Sequence, residues 1–509
     1  MHTINLIIIL GDYHCTALAG KLSSFTKGGG EGEVLLVFPG KYNAPNPQVP
    51  LSLLHLAAYL RRNDFRVNIY DMRTEKYSDS IVRNPLFVGL SSMSGHQIRY
   101  GLDFAQKIRD VNVKTPIVWG GVHPTLMPEQ TAANKFVDVV VRGEGEETIV
   151  DLAKRFAASE PLDDVAGITY KVDEKIRSNS DRLPIILGEI PMDLPYDLID
   201  VEKYPSIRSG RFHIQTSRGC PHRCGFCYNS IFNKRSWRCK SIERVLDEFE
   251  LVLEKHPNTK CLDIIDDNYF VDQARVEAIC RGMLERRIDI DWRADCRFDY
   301  MSRYDEDFIR LLEKSGCIEL NFGAETGSKR LLDLIHKDVI PEMMFKSVEK
   351  LRDYAPSIEP YVFWMSGLPT ESEGDLEETY RVMERLSKIN GKTQHVEIYI
   401  YTPFPSPILD QFASGYKLPT SLEEWGDVDV FHFRPPWHEK SYLDKLEAIS
   451  MVTRFTFYPE ARIKELKQPY RAGYKLIHVF ASFRWKHKYF GLPLELKAVS
   501  YTTRILRGY

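Results

Sequence analysis

Three cysteines, Cys220, Cys224 and Cys227, are spaced C-x3-C-x2-C in a loop that also holds Gly219, Pro221 and Gly225. That spacing on a glycine- and proline-bearing loop lets three thiolates converge on one centre, and thiolate is the ligand that suits iron–sulfur clusters and zinc. A structural zinc site is normally closed by four protein ligands, whereas three cysteines on a four-iron cluster leave one iron open to a small molecule. The competing reading is a zinc knuckle completed by His222 or Cys239, but the sequence offers no second paired half of the kind such a site wants. His222 itself reads as a solvated loop residue.

Apolar strands must carry this loop. Residues 212–216 form one, ending at the cysteine loop, and further strand–helix units follow with strands at 262–268, 290–295, 318–323, 361–365 and 395–400. Each ends in polar or Gly/Pro residues aimed at one mouth: Asp267 and Asn268, Arg293, Glu325, residues 367–371 and residues 401–403. Barrels of parallel strands carry their chemistry at that carboxyl end. Taken singly, Asp267 or Glu325 could equally be a solvated strand-end carboxylate.

The cysteine stretch from Thr216 to Asn229 closely resembles the signature of the radical S-adenosylmethionine (SAM) superfamily. The resemblance implies a 4Fe-4S cluster on Cys220, Cys224 and Cys227, with SAM on the open iron. It also implies cleavage of SAM to methionine and a 5′-deoxyadenosyl radical, and an electron donor such as flavodoxin or ferredoxin. Phe226 and Tyr228 stand where the family places aromatic residues beside cluster and adenine. Gly323-Ala324-Glu325-Thr326-Gly327-Ser328 is similar to the fourth-strand segment whose glutamate helps hold SAM, and Gly367-Leu368-Pro369-Thr370-Glu371 to the fifth-strand motif beside the adenine. The likeness runs over roughly residues 215–407 and implies a partial barrel of six strand–helix units. Ser406 departs from the family's usual small residue.

Ahead of this domain, strands at 34–38, 67–70, 86–91, 117–119 and 139–141 alternate with amphipathic helices, which argues for a doubly wound parallel sheet covered on both faces. Gly- and Ser-rich loops at strand carboxyl ends are where such sheets hold ligands. This half resembles the cobalamin-binding domains fused ahead of radical SAM domains, through residues 50–54, Asp71, Ser91 with Ser92, residues 120–125 with Gly120 and Gly121, and residues 141–146 with Gly143 and Glu144. One departure is informative: Met72 and Arg73 follow Asp71 where some relatives carry Asp-x-His-x-x-Gly, so no lower histidine ligand to cobalt is expected. His96 and His123 are the remaining candidates and read as loop or phosphate-contacting residues. A sheet that keeps the fold and binds no corrinoid is the competing reading. The resemblance implies methylation of an unactivated carbon: one SAM methylates cobalamin, another supplies the radical, and methylcobalamin delivers the methyl group. Radical-driven ring closure or oxidation, as in the anaerobic cyclase of bacteriochlorophyll synthesis, is the family alternative. A zinc-stabilised non-catalytic binding protein is the alternative from another class.

The chain has 509 residues with 43% apolar and 27% charged content, ordinary for a globular protein of two or three domains. A net charge of −3 argues against nucleic acid as a partner. Six of nine cysteines are scattered outside the triad, which suits buried thiols in a reducing cytosol rather than a disulfide framework. No apolar run approaches the length of a membrane span, and residues 4–10 read as a short strand. The expected organisation is an extension at 1–32, a cobalamin-binding-like domain at 33–150, a proline-broken connector at 151–205, a radical SAM domain at 206–425 and a helical region at 426–509. From residue 461 on, eleven Lys and Arg face two Glu, a net +9, with aromatic residues interleaved. That mixture suits peripheral contact with an anionic bilayer at the inner face of the membrane and a large apolar substrate, a lipid or tetrapyrrole-like ring. A basic cap on the acidic body explains the same charges.

Overall fold

A computed structural model describes residues 32–173, 175–405, 416–429, 433–457, 470–491 and 496. The expected strand at 4–10, the extension up to residue 31, Ser406 and much of the basic tail lie outside them.

The first sheet contains β1 (Glu33–Phe38), β2 (Arg66–Asp71), β3 (Pro85–Ser91), β4 (Ile117–Gly120), β5 (Val139–Val141), β6 (Ile168–Val172) and β7 (Lys175–Ser178), in the order β2-β1-β3-β4-β5-β6-β7. Strands β1 to β5 are parallel. Their near-continuous apolar runs follow from burial on both faces. Val34 and Leu36 meet Leu54, Leu60 and Leu152 on one side, while Leu35 and Val37 meet Ile98, Phe104 and Trp119 on the other. The order reverses beside β1, and such switch points open a ligand crevice at the strands' carboxyl ends.

The connector expected at 151–205 is part of this domain. β6 and β7 extend the sheet antiparallel to β5, and Ile185, Leu187, Ile190, Ile199 and Tyr204 are buried in the same core. The prolines break helices there without preventing extended chain from packing on the sheet.

The second sheet is β8 (Arg211–Ile214), β11 (Cys261–Ile264), β12 (Asp291–Cys296), β13 (Cys317–Glu325), β14 (Glu359–Ser366) and β15 (Gln394–Ile400), all parallel and adjacent in chain order. A two-stranded ribbon, β9 (Ser217–Gly219) with β10 (Trp237–Cys239), flanks it. Side chains alternate along each strand, so one face of Phe212, Leu262, Trp292, Leu320 and Val362 packs under the helices. The opposite face carries His213, Asp263, Arg293 and Glu319 in register across β8, β11, β12 and β13. Arg293 bridges Glu319 at 2.8 Å and Asp263 at 2.5 Å, and His213 lies 3.4 Å from Asp263. Arg293, expected at the mouth, therefore belongs to this ladder one layer below it. Two residues on, the same face presents Gln215, Ile265, Asp295 and Asn321, and these line the cavities.

After β15 the chain returns to the first domain. Helix Leu422–Gly426 buries Leu422 and Trp425 against Ile98, Phe104 and Trp119. Asn134 Nδ2 donates to Glu423 at 2.7 Å, and Arg99 pairs with Asp427. The expected domain boundary between 425 and 426 thus falls inside a helix that clasps the other domain, a tertiary contact with no local sequence signature. Helix Lys440–Thr456 then packs on β15 and supports helix Tyr470–Lys486.

Candidate functional site

The cysteine loop is fastened at its root by two neighbouring carboxylates. Asp266 accepts from the Thr216 N–H (2.6 Å), the Thr216 hydroxyl (2.6 Å) and the Ser217 hydroxyl (2.5 Å). Asp267 accepts from the Gly219 N–H at 2.7 Å. Gly219 is at φ +89°, and a Cβ there would lie 2.2 Å from the Ser236 carbonyl, so only glycine fits.

Beyond it, Cys220, Cys224 and Cys227 line one cavity of about 340 Å³ with Asp295, Asn321, Glu325 and Lys337. Asn268 Nδ2 donates to Cys220 Sγ at 3.4 Å and Arg297 Nη1 to Cys224 Sγ at 3.6 Å. Hydrogen bonds to sulfur favour the thiolate and tune a cluster. Burial, with Cys224 and Cys220 close by, pushes the Cys227 thiol up to about 11. Among the described residues no three His, Cys, Asp or Glu side chains close on a single point as ligands of one metal ion. Cys239 pairs in register with Ser217 on the ribbon, and His222 bonds Tyr300 at 2.6 Å, half-buried rather than solvated. Burial and the nearby Arg297 lower the His222 pKa to about 4.

Glu325 faces the same cavity from the end of β13 at φ +63°, accepting from Lys337 Nζ at 2.6 Å. Lys337 is buried and lies 5.7 Å from the Phe226 ring. Burial alone would lower its pKa, but the Glu325 carboxylate holds it above the ordinary value. A Cβ on Gly323 would lie 2.4 Å from Glu325 Oε1, so glycine there leaves room for this pair. Gly367 and Pro369 do not line the cavity; buried Glu371 draws in the N–H groups of Gly367 and Leu368, and Trp437 Nε1 donates to the Gly367 carbonyl at 2.9 Å. The two expected aromatics diverge: Phe226 lines the cysteine cavity, and Tyr228 faces a second cavity.

That second cavity, also about 340 Å³, lies between the two sheets. Ser91, Gly120, Gly121, Gly143 and Glu144 line it from the first domain, and Gln215, Arg218 and Tyr228 from the second. Gly121 is at φ +95°, where a Cβ would crowd the Ser92 carbonyl at 2.9 Å, and nothing lies within 4 Å of a Cβ on Gly143. Ser92 is buried with its hydroxyl unpartnered. This glycine cradle fits part of a corrinoid, and Asp267 lines both cavities at their seam.

Two glutamates of the cradle reach the cysteine loop. Glu146 accepts from Arg218 at 2.7 Å, and Glu144 lies 2.5 Å from Arg238 and 3.2 Å from Arg218. Arg218 and Arg238 are register partners on β9 and β10, so the two carboxylates offset two adjacent half-buried cations. Arg218 also reaches His55 Nδ1 at 2.9 Å. Arg218 and Glu146 stand in the two motif stretches without a role that sequence assigns, and His55, Asp295 and Asn321 carry no motif; period-two counting along β12 and β13 finds Asp295 and Asn321.

Arg73 pairs with Asp71, at 2.6 Å and 2.9 Å, and Tyr204 donates to Asp71 at 2.9 Å, so the stretch that lacks the histidine is a buried structural knot. His96 is exposed. His123 is not a loop residue: it is buried in helix Val122–Leu126, bonded to Ser94 at 2.8 Å, with its ring 5.3 Å from that of Trp425.

Residues 42–153 match the B12 binding domain family and residues 214–383 the radical SAM superfamily. An uncharacterized methyltransferase of Pyrococcus horikoshii is 29% identical over 401 residues, covering 76% of this chain and 84% of its own. The anaerobic magnesium-protoporphyrin IX monomethyl ester cyclase of Rubrivivax gelatinosus is 26% identical over 470 residues, 87% of this chain and 80% of its own. The solved structure of the cobalamin-dependent S-adenosylmethionine radical enzyme OxsB with aqua-cobalamin superposes with a TM-score of 0.69 at 20% identity, over 93% of this chain and 75% of that one, a likeness of fold. The chain thus joins a B12 binding domain to a radical SAM domain.

Proposed function

We propose that this enzyme methylates an unactivated carbon of a large apolar substrate, a lipid or tetrapyrrole-like ring. The observation that carries the reading is the seam at Asp267, which lines both the cysteine cavity and the glycine cradle. When bound, the cluster with SAM supplies radical chemistry and cobalamin supplies methyl transfer. The protein's own task is to hold the two sites in register and keep water out. Cys220, Cys224 and Cys227 would hold the cluster, with Asn268 and Arg297 steadying the Cys220 and Cys224 sulfurs; Glu325 would take the ammonium of SAM, and Phe226 would line the same cavity. Ser91, Gly120, Gly121 and Gly143 admit the corrinoid, while Asp266 and Asp267 fix the loop between the sites. The electron donor is a flavodoxin or ferredoxin, and the enzyme works at the inner face of the membrane.

The cyclase relative, which covers most of the chain, favours ring closure or oxidation as the second reading, and its named substrate supports the tetrapyrrole class. Comparison of lipids and pigments between a deletion strain and its parent separates them. Loss of a methylated product supports methylation, and accumulation of an unclosed ring transfers the enzyme to the cyclases.

A further inference from the structure

Helix Tyr470–Lys486 has two unlike faces. Ala481 and Trp485 are buried, and Trp485 Nε1 donates to Glu384 at 2.9 Å, fixing that side to the body. On the other side Leu476, Val479, Phe480 and Phe483 are exposed, at 59%, 62%, 48% and 59%, and their spacing of three and four residues puts them in one row. Tyr489 beyond the helix end is exposed as well. Among the described residues the other exposed large apolar side chains are spread along the chain from Tyr42 to Tyr399, and none of their helices carries four of them.

The charges beside the row decide what covers it. Lys475 stands at one end, and Lys486 and Lys488 at the other, all exposed, and the helix contains no acidic residue. Lys488 bonds Glu384 at 2.7 Å, and Lys475 and Lys486 are the exposed cations of the helix that flank the row. A second copy of this chain would bring the same cations against each other in a two-fold contact. An anionic lipid surface takes the rings at its acyl boundary and the ammonium groups among its headgroups. No described helix is long and apolar enough to cross a membrane, so contact of this kind lies along the surface.

We infer that the Leu476–Val479–Phe480–Phe483 face of this helix docks the enzyme on an anionic bilayer. The inference deepens the membrane-surface reading of the function and names the face that makes the contact.

Flotation of the reconstituted full chain with vesicles of phosphatidylcholine, with and without phosphatidylglycerol, tests it at low and high salt. The wild type is expected to float with anionic vesicles at low salt and to release at high salt. The double variant Phe480→Ser/Phe483→Ser should lose binding about tenfold or more. Lys475→Glu/Lys486→Glu should lose the preference for anionic vesicles. Binding unchanged in either variant, or no binding by the wild type, overturns the inference. A dimer that becomes a monomer in the Phe variant also overturns it, by giving the face to a second copy. SAM cleavage in detergent should match the wild type in both variants, so failure of docking and failure of the proposed chemistry are read separately.

Discussion

Arg218 donates to Glu146 across 2.7 Å, and that bond joins strand β9, two residues ahead of Cys220, to the first residue of helix Glu146–Ala158 beside the glycine cradle. The same Nη2 also reaches His55, while Nη1 faces Glu144 and Nε donates to Gln215. Removing one partner of this largely shielded pair strands the other's charge, a loss of at most about 3–5 kcal/mol.

Arg218→Met is therefore expected to lower iron and corrinoid retention together, because Glu144 and Glu146 are left without their shared cation. Iron and cobalt analysis after reconstitution and gel filtration reads both. A variant that lost iron alone while binding corrinoid as before would show that the two segments are not coupled.

Glu325→Gln removes the charge facing the cysteine cavity and leaves Lys337 buried beside it. We expect SAM to bind at least about tenfold more weakly, the scale of a lost charged hydrogen bond, with iron content unchanged. Isothermal titration of the reconstituted protein measures this. Equal SAM affinity would remove Glu325 from the site.

The ladder beneath the mouth sets a pH dependence. Burial would raise the Asp263 carboxyl, but hydrogen bonds from His213 and Arg293 hold it down at about 2. A carboxyl depressed on folding adds stability above its ordinary value of 3.8 that is lost as pH falls through about 2, here about 2 kcal/mol. Asp263→Asn should lower the urea midpoint at neutral pH, and the gap from wild type should narrow below pH 4 (roughly the unfolded carboxyl range). A gap independent of pH would mean that the cost is steric.

Much of this was legible in the sequence because the signals are local. The cysteine spacing, the apolar strand runs and the Gly120-Gly121 turn each announce themselves within a few residues. Contacts between distant segments do not. Nothing near Trp425 states that it packs on His123, nothing near Arg218 names Glu146, and a stretch broken by prolines looks like a linker whether or not it packs. Arg293 was misplaced by one layer because a strand's end is read only to within a residue or two, and each step of two moves a side chain from mouth to ladder.

Cobalt should receive no histidine from this chain. Arg218 has no acceptor, so His55 Nδ1 accepts its hydrogen bond. Burial, then Arg218, lowers the His55 pKa well below the ordinary value, so the ring is neutral and carries its proton on Nε2. Electron paramagnetic resonance of the cob(II)alamin form should show no splitting that changes when the protein's histidines carry a different nitrogen isotope. Such a change would place a histidine on the metal.

The most direct test of the whole account is anaerobic reconstitution of the wild type beside Cys220→Ala, with iron, sulfide and SAM cleavage measured on the same samples. About four iron and four sulfide per chain, with 5′-deoxyadenosine formed, and loss of both in Cys220→Ala, is the result expected. One zinc per chain without turnover, or a Cys220→Ala protein that keeps its iron and cleaves SAM as before, would contradict it.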